Sequence, residues 1–121
     1  MKMAMVVDDS KIVRKVTRKI LESLGYTVVE AEDGKVALDV FNQHKPSLIM
    51  LDWHMPVMNG LEFLKALRAL PDGGNPVVIF CTTETDFANI QQAILSGANE
   101  YVMKPFDEPI IKGKLEQLGI T

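Results

Sequence analysis

Pro46-Ser47-Leu48-Ile49-Met50-Leu51-Asp52-Trp53-His54-Met55-Pro56-Val57-Met58-Asn59-Gly60 is the stretch whose reading decides the fold. Leu48, Ile49, Met50 and Leu51 run without polar alternation, which suits a strand covered on both faces, as in a parallel sheet. A carboxylate, Asp52, stands at the end of the run, and Pro56, Asn59 and Gly60 take the chain out of the sheet. Ligands of open α/β sheets bind outside the carboxyl ends of the strands, so Asp52 stands where a reactive group would. An Asp at such a position can also do no more than cap the next turn. The other strand ends decide between the two.

Working outward, Met3–Val7 is a short apolar run that reads as the first strand. Asp8, Asp9 and Ser10 close it, and one of them can cap the helix that follows. Ile12, Val13, Val16, Ile20, Leu21 and Leu24 recur at helical spacing and are expected as a buried stripe. Lys11, Arg14, Lys15, Arg18 and Lys19 are expected on the remaining, solvated face, and Gly25 stops the helix. The second strand is expected at 26–30. Asp33-Gly34 starts a second helix with Val36, Ala37, Val40 and Phe41 inward. The third helix is expected at 60–70, with Leu61, Leu64 and Leu67 inward, and 71–76 is a loop by composition. A second continuous apolar strand covers 77–81 and ends in Thr82-Thr83-Glu84. The fourth helix is expected at 86–96, with Phe87, Ile90, Ala93 and Ile94 inward and Gly97 as its stop. Glu100–Met103 is a short last strand, broken by Lys104-Pro105-Phe106. Asp107-Glu108-Pro109 opens a final helix that ends at Gly119 and tolerates Gly113 inside it.

The alternation is a βα unit repeated five times. Strands joined by helices lie parallel, and the crossovers are right-handed. Five units are too few for the eight-stranded barrel. The expectation is an α/β fold: a five-stranded parallel sheet, doubly wound and flavodoxin-like, with five helices on its two faces.

The chain has 121 residues, which suits one domain spanning 1–121. It is 47% hydrophobic and 24% charged, ordinary for a globular protein. Its formal net charge of −3 does not favour nucleic acid, which needs a basic surface. No apolar run approaches the roughly 20 residues that span a bilayer. The first seven residues run straight into Asp8 and Asp9, unlike a signal peptide. The single cysteine, Cys81, excludes an internal disulfide and reads as a small buried hydrophobe in a reducing, cytoplasmic setting.

In a parallel sheet the residues at the strand ends share one edge. They are Asp8 and Asp9 after the first strand, Asp52 after the third, Thr82 after the fourth and Lys104 after the fifth. Three carboxylates together repel, and a hard divalent cation resolves the repulsion. Mg²⁺ takes carboxylates, waters and phosphate oxygens. Lys104 supplies a mobile point charge suited to a phosphoryl group, and Thr82 a hydroxyl donor. An Asp carboxylate can itself attack phosphorus. Phosphoryl transfer asks the protein mainly for positioning and charge neutralisation, and this set supplies both.

Val6-Val7-Asp8-Asp9-Ser10, then Leu51-Asp52-Trp53-His54-Met55-Pro56-Val57-Met58-Asn59-Gly60, then Thr82, then Lys104-Pro105-Phe106, all in order, resemble the response-regulator receiver family. The resemblance is closest to its single-domain chemotaxis (CheY-like) members and covers essentially the whole chain. It implies that Asp52 is the phosphoacceptor. It implies Mg²⁺ as cofactor, bound by Asp9 and Asp52, by Asp8 mostly through water, and by the backbone carbonyl of His54. It also implies that Thr82 is the switch hydroxyl, that Lys104 pairs with the phosphoryl group, that the Lys104–Pro105 bond is cis, and that Tyr101 is the switch aromatic. His54 and Glu84 fall where the family varies and tunes the lifetime of the phosphate.

The function implied is phosphorelay signalling: a switch rather than an enzyme, with weak self-catalysed phosphorylation and dephosphorylation. A histidine kinase would donate the phosphoryl group, docking partly on the first helix. The output surface would be the fourth helix, fifth strand and fifth helix. With no effector or DNA-binding domain after Thr121, the expected output is a protein partner, such as the flagellar motor switch or another kinase, with the chain acting as a monomer. A phosphate sink or a stress or developmental relay fits the same residues. An Asp-nucleophile phosphatase fits less well, because that chemistry wants a second Asp two residues after the nucleophile and His54 is there. No Gly-rich phosphate loop supports nucleotide binding.

Overall fold

The computed structural model describes residues 2–82 and 87–120. Its elements are β1 (Met3–Val7), α1 (Lys11–Ser23), β2 (Thr27–Ala31), α2 (Gly34–His44), β3 (Leu48–Asp52), α3 (Gly60–Ala69), β4 (Val77–Thr82), α4 (Phe87–Leu95), β5 (Glu100–Met103) and α5 (Glu108–Gln117). The strands form one parallel sheet ordered β2-β1-β3-β4-β5. The expected architecture is therefore the observed one.

Strand side chains alternate between the two faces of a sheet. Here both faces are apolar because both are covered. Met5, Val7, Ile49, Leu51, Val78 and Phe80 pack with Ala37 and Phe41 of α2, with Phe63, Leu64 and Leu67 of α3, and with Ala93 of α4. Ala4, Val6, Leu48, Met50, Ile79 and Cys81 pack on the other face with Leu21 of α1 and with Ile111 and Leu115 of α5. A continuous apolar run is what such two-sided burial demands.

The helices start where a side chain can take an orphan amide. Ser10, Asp33 and Asp107 cap α1, α2 and α5, accepting from the backbone N–H of Val13, Val36 and Ile110. Asn59 and Glu62 close a reciprocal capping box on α3. The 71–76 loop is held by Arg68, whose guanidinium donates to the carbonyls of Gly73, Pro76 and Gly97 and to Asn99 Oδ1.

Several expectations need correction. In α1 the residues fully buried are Thr17 and Leu21, while Ile12 and Val16 are 77% and 50% exposed. At about 100° per residue, Ile12 and Val16 fall on the flank of the stripe centred between Val13 and Leu21, and that flank opens on a groove. Arg14 is not on the solvated face; it is largely buried beside Glu30. In α3 Phe63 is fully buried and Leu61 only half-buried. In α4 Ala93 is buried but Ile94 is exposed. β2 is shifted by one residue from 26–30; Tyr26 precedes it, buried, with its hydroxyl donating to the Ile120 carbonyl. α3 and α4 each end one residue earlier than expected. α5 ends at Gln117, short of Gly119, which follows at φ +73°. Thr83, Glu84, the expected start of the fourth helix at Asp86 and the Phe87 side chain lie outside the described residues.

Val57, in the turn after β3, has φ +68° and is 77% exposed. Left-handed backbone costs a non-glycine residue roughly 1–2 kcal/mol, more for a β-branched one. An exposed side chain contributes no packing to offset that cost. Val57→Asn is therefore expected to stabilise the fold by about 1 kcal/mol and to raise the thermal midpoint by about 4 °C. An unchanged or lower midpoint in a calorimetric scan would contradict the strain.

Candidate functional site

The site lies at the carboxyl edge of the sheet, where β1, β3, β4 and β5 end together. The register pairs Val7 with Leu51, Asp52 with Cys81, and Thr82 with Met103, so the next residues, Asp8 and Lys104, come to the same rim. Carboxylate oxygens of Asp8, Asp9 and Asp52 lie within 4.8 Å of one another, the one such acidic cluster among the described residues. Asp8 and Asp52 are buried and Asp9 is exposed.

Lys104 Nζ stands 2.9 Å from Asp8 Oδ2 and 2.9 Å from Asp52 Oδ1, so one ammonium bridges two buried carboxylates. The Lys104 amide donates to the Thr82 carbonyl at 2.7 Å, tying the β5 exit to the end of β4. The Lys104–Pro105 peptide is cis. Asp8 is further fixed by its own amide, which donates to the Ala31 carbonyl, and by the Ser10 amide, which donates to Asp8 Oδ1.

Burial pushes the Asp52 carboxyl above its ordinary range. The Lys104 ammonium pulls it back only in part, and repulsion from Asp8 adds to the rise. For Lys104, burial works against the ammonium, but its hydrogen bonds to Asp8 and Asp52 outweigh that and hold it above the usual lysine value. Burial drives the neighbouring Cys81 thiol up to about 12, which leaves it a protonated, inert packing group.

Thr82 is buried at the end of the strand next to Asp52, and strand alternation sends its side chain to the face opposite Cys81. His54 is exposed; with Asp9, Trp53, Met55, Pro56 and Asn59 it lines an open depression of about 490 Å³ on the Asp9 side of the cluster. Trp53 is half-buried, its ring 5.3 Å from that of Phe80. Gly60 returns the chain under the site: its amide donates to the Trp53 carbonyl, and a Cβ there would collide with the Asp52 carbonyl oxygen. Tyr101 stands apart on β5, half-buried, with the Lys114 ammonium 5.1 Å from its ring centroid.

Sequence reasoning missed one contact to the cluster. Arg14 Nη1 donates to the Asp8 carbonyl at 2.6 Å. The available signal was its place one helical turn after Ser10, with an acidic residue, Glu30, near the end of the neighbouring strand.

The family description Response regulator receiver domain matches residues 4–116. A chemotaxis protein CheY homolog of Campylobacter jejuni is 38% identical over 116 residues, spanning 94% of this chain and 89% of the relative. The chemotaxis protein CheY of Pseudomonas aeruginosa is 34% identical over 115 residues, spanning 94% and 93%. The solved structure of CheY4 of Vibrio cholerae superposes with a TM-score of 0.90 at 32% identity, covering 98% of each chain.

A carboxyl whose pKa is raised by folding stabilises the fold below its unfolded pKa, and that stability is lost as pH rises through the folded value. Ionised Asp52 therefore works against the metal-free fold near neutrality. Asp52→Asn, assayed with chelator, is expected to melt above the native protein at neutral pH, with the gap closing as pH falls toward about 4. A lower midpoint for the variant at neutral pH would show that Lys104 compensates fully.

Proposed function

The chain belongs to the response regulator receiver domain family, and on that premise we propose that it is a phosphorylation-controlled signalling switch whose acceptor is Asp52. The observation that carries this reading is Lys104 Nζ at 2.9 Å from both Asp8 and Asp52, beside three converging carboxylates. A site built to hold charge this densely suits phosphoryl transfer, where positioning and neutralisation supply most of the catalysis.

The donor is a phosphohistidine of a histidine kinase. An Asp52 oxygen attacks phosphorus, the N–P bond breaks, the imidazole nitrogen keeps the electron pair and takes a proton, and an aspartyl phosphate remains. Burial that raises the basicity of Asp52 strengthens it as a nucleophile, and the Lys104 ammonium works against that rise in favour of the carboxylate. The oxygen-rich donor set suits Mg²⁺, which Asp8, Asp9, Asp52 and the His54 carbonyl would hold; when bound, the ion would supply charge neutralisation to the transferring group. The open depression beside Asp9 and Trp53 admits the donor.

The phosphoryl group carries a charge of roughly −1.5 to −2 where the Asp52 carboxylate carried −1. Thr82 donates to it and Lys104 turns toward it, biasing a two-state equilibrium read at Tyr101. Exposed Ile94 and Leu95 of α4, Met103 of β5 and Ile110 of α5 supply apolar surface for a protein partner. Exposed Ile12 and Val16, beside Pro105 and Phe106 in a groove of about 290 Å³, suit the helices of the phosphodonor. The likeness to chemotaxis proteins favours control of a flagellar motor or of another kinase, by a monomer in the cytoplasm, over a phosphate sink or a stress or developmental relay. Among the described residues, no helix is long and apolar enough to cross a membrane.

Incubation with Mg²⁺ and acetyl phosphate is expected to add one phosphoryl group by mass and to change Trp53 emission. Asp52→Asn is expected to show neither. A native protein that never gains the group would reduce the chain to a binding module. Steady phosphate release from varied esters would make it a phosphatase.

A further inference from the structure

Each atom of Asp8 that positions it has a partner. Its amide is held by Ala31, Oδ1 by Ser10 and Oδ2 by Lys104. The remaining handle is its carbonyl oxygen, which belongs to the peptide leading into Asp9. Asp9 is the exposed member of the acidic cluster, so packing does little to aim it. The peptide that carries it into the cluster is the Asp8–Asp9 peptide, and Arg14 Nη1 donates to that carbonyl at 2.6 Å.

Arg14 is itself fixed. Its Nε donates to Glu30 Oε1 at 3.0 Å, while Arg18 Nη1 takes Glu30 Oε2 at 2.8 Å and Arg18 Nε reaches Glu22. Burial alone would raise the Glu30 carboxyl, but the hydrogen bonds from Arg18 and Arg14 outweigh it and hold Glu30 low, so it is an ionised anchor. One planar fork thus spans from the end of β2 to the acidic loop, which a single-point ammonium does not do.

We infer that Arg14 is a positioning residue for the cation site: by holding the Asp8 carbonyl it sets the direction of the Asp9 carboxylate. The inference rests on the reading of the acidic cluster as a Mg²⁺ site. Outer-shell partners of this kind typically carry about 10- to 100-fold in metal affinity.

The test compares three variants by Mg²⁺ titration of Trp53 emission and by the amide resonance of Asp9 in metal-free protein. Arg14→Met keeps the apolar stem and removes both donors. Arg18→Gln takes a partner from the same Glu30 without touching Asp8. Arg14→Lys keeps charge and stem but not the fork, and it carries the same expectation should Arg14→Met fail to fold. Arg14→Met is expected to weaken Mg²⁺ binding about 10- to 100-fold and to shift the Asp9 amide, while Arg18→Gln stays within about threefold and leaves that amide in place. Binding by Arg14→Met within about threefold of native, or an equal loss in Arg18→Gln, would overturn the inference. A native protein that takes up no Mg²⁺ would sink the reading of the site instead. The Asp9 amide then decides the positioning role: shifted in Arg14→Met it stands, unmoved it falls.

Discussion

A single ammonium between two buried carboxylates is the interaction on which the site depends. Buried charges persist only when paired and hydrogen-bonded. Lys104 reaches Asp8 and Asp52 at the same distance, and each carboxylate has further polar support. The bridge joins segments nearly a hundred residues apart in sequence, because Asp8 leaves β1 and Lys104 leaves β5. β5 is at the sheet edge, separated from β1 by β3 and β4. The strand order therefore decides that the lysine meets the acids at all.

The same order explains why chemistry sits at the rim and packing in the middle. In the central strands β1, β3 and β4 the residues between the rims face two apolar layers, where a polar group would lose its partners. At the carboxyl edge the strands run out, and the loops can present side chains to water on one side and to the sheet on the other. Gly60 shows how tight this is: the chain returns so close beneath Asp52 that a methyl group would meet its carbonyl.

Most of the fold was legible in the sequence because its signals are local. Unbroken apolar runs gave the strands; a cap was expected among Asp8, Asp9 and Ser10, where Ser10 serves, and Asp33 and Asp107 opened helices that they do cap. The residues of the acidic cluster and Lys104 were legible because a parallel sheet sends all strand ends to one edge. What periodicity could not supply is the direction in which each helix leans. Ile12 and Val16 have the right spacing for burial and the wrong azimuth, which depends on where α5 and β5 pass. Arg14 at Asp8 and Arg68 at the 71–76 loop were hard to read for a related reason: there they hold backbone carbonyls, which carry no residue identity. Val57 at positive φ runs against its own type, so its conformation is imposed by the turn rather than by the residue.

Charge balance links the geometry to the proposed switch. Three converging carboxylates share one bridging ammonium, so acidic groups outnumber the cation that reaches them. Burial adds to that cost, as the raised Asp52 shows. A divalent cation would offset the excess, and a phosphoryl group on Asp52 would then add back negative charge and three acceptor oxygens. At that point Lys104 is the mobile cation already in reach, and it is tied by its own amide to the end of β4 and by the chain to β5. Moving the ammonium toward a new anion therefore loads the two strands that lead to the exposed apolar surface of α4, β5 and α5. On the proposed reading, this crowding of like charge is what would make the cluster respond to a change in bound charge.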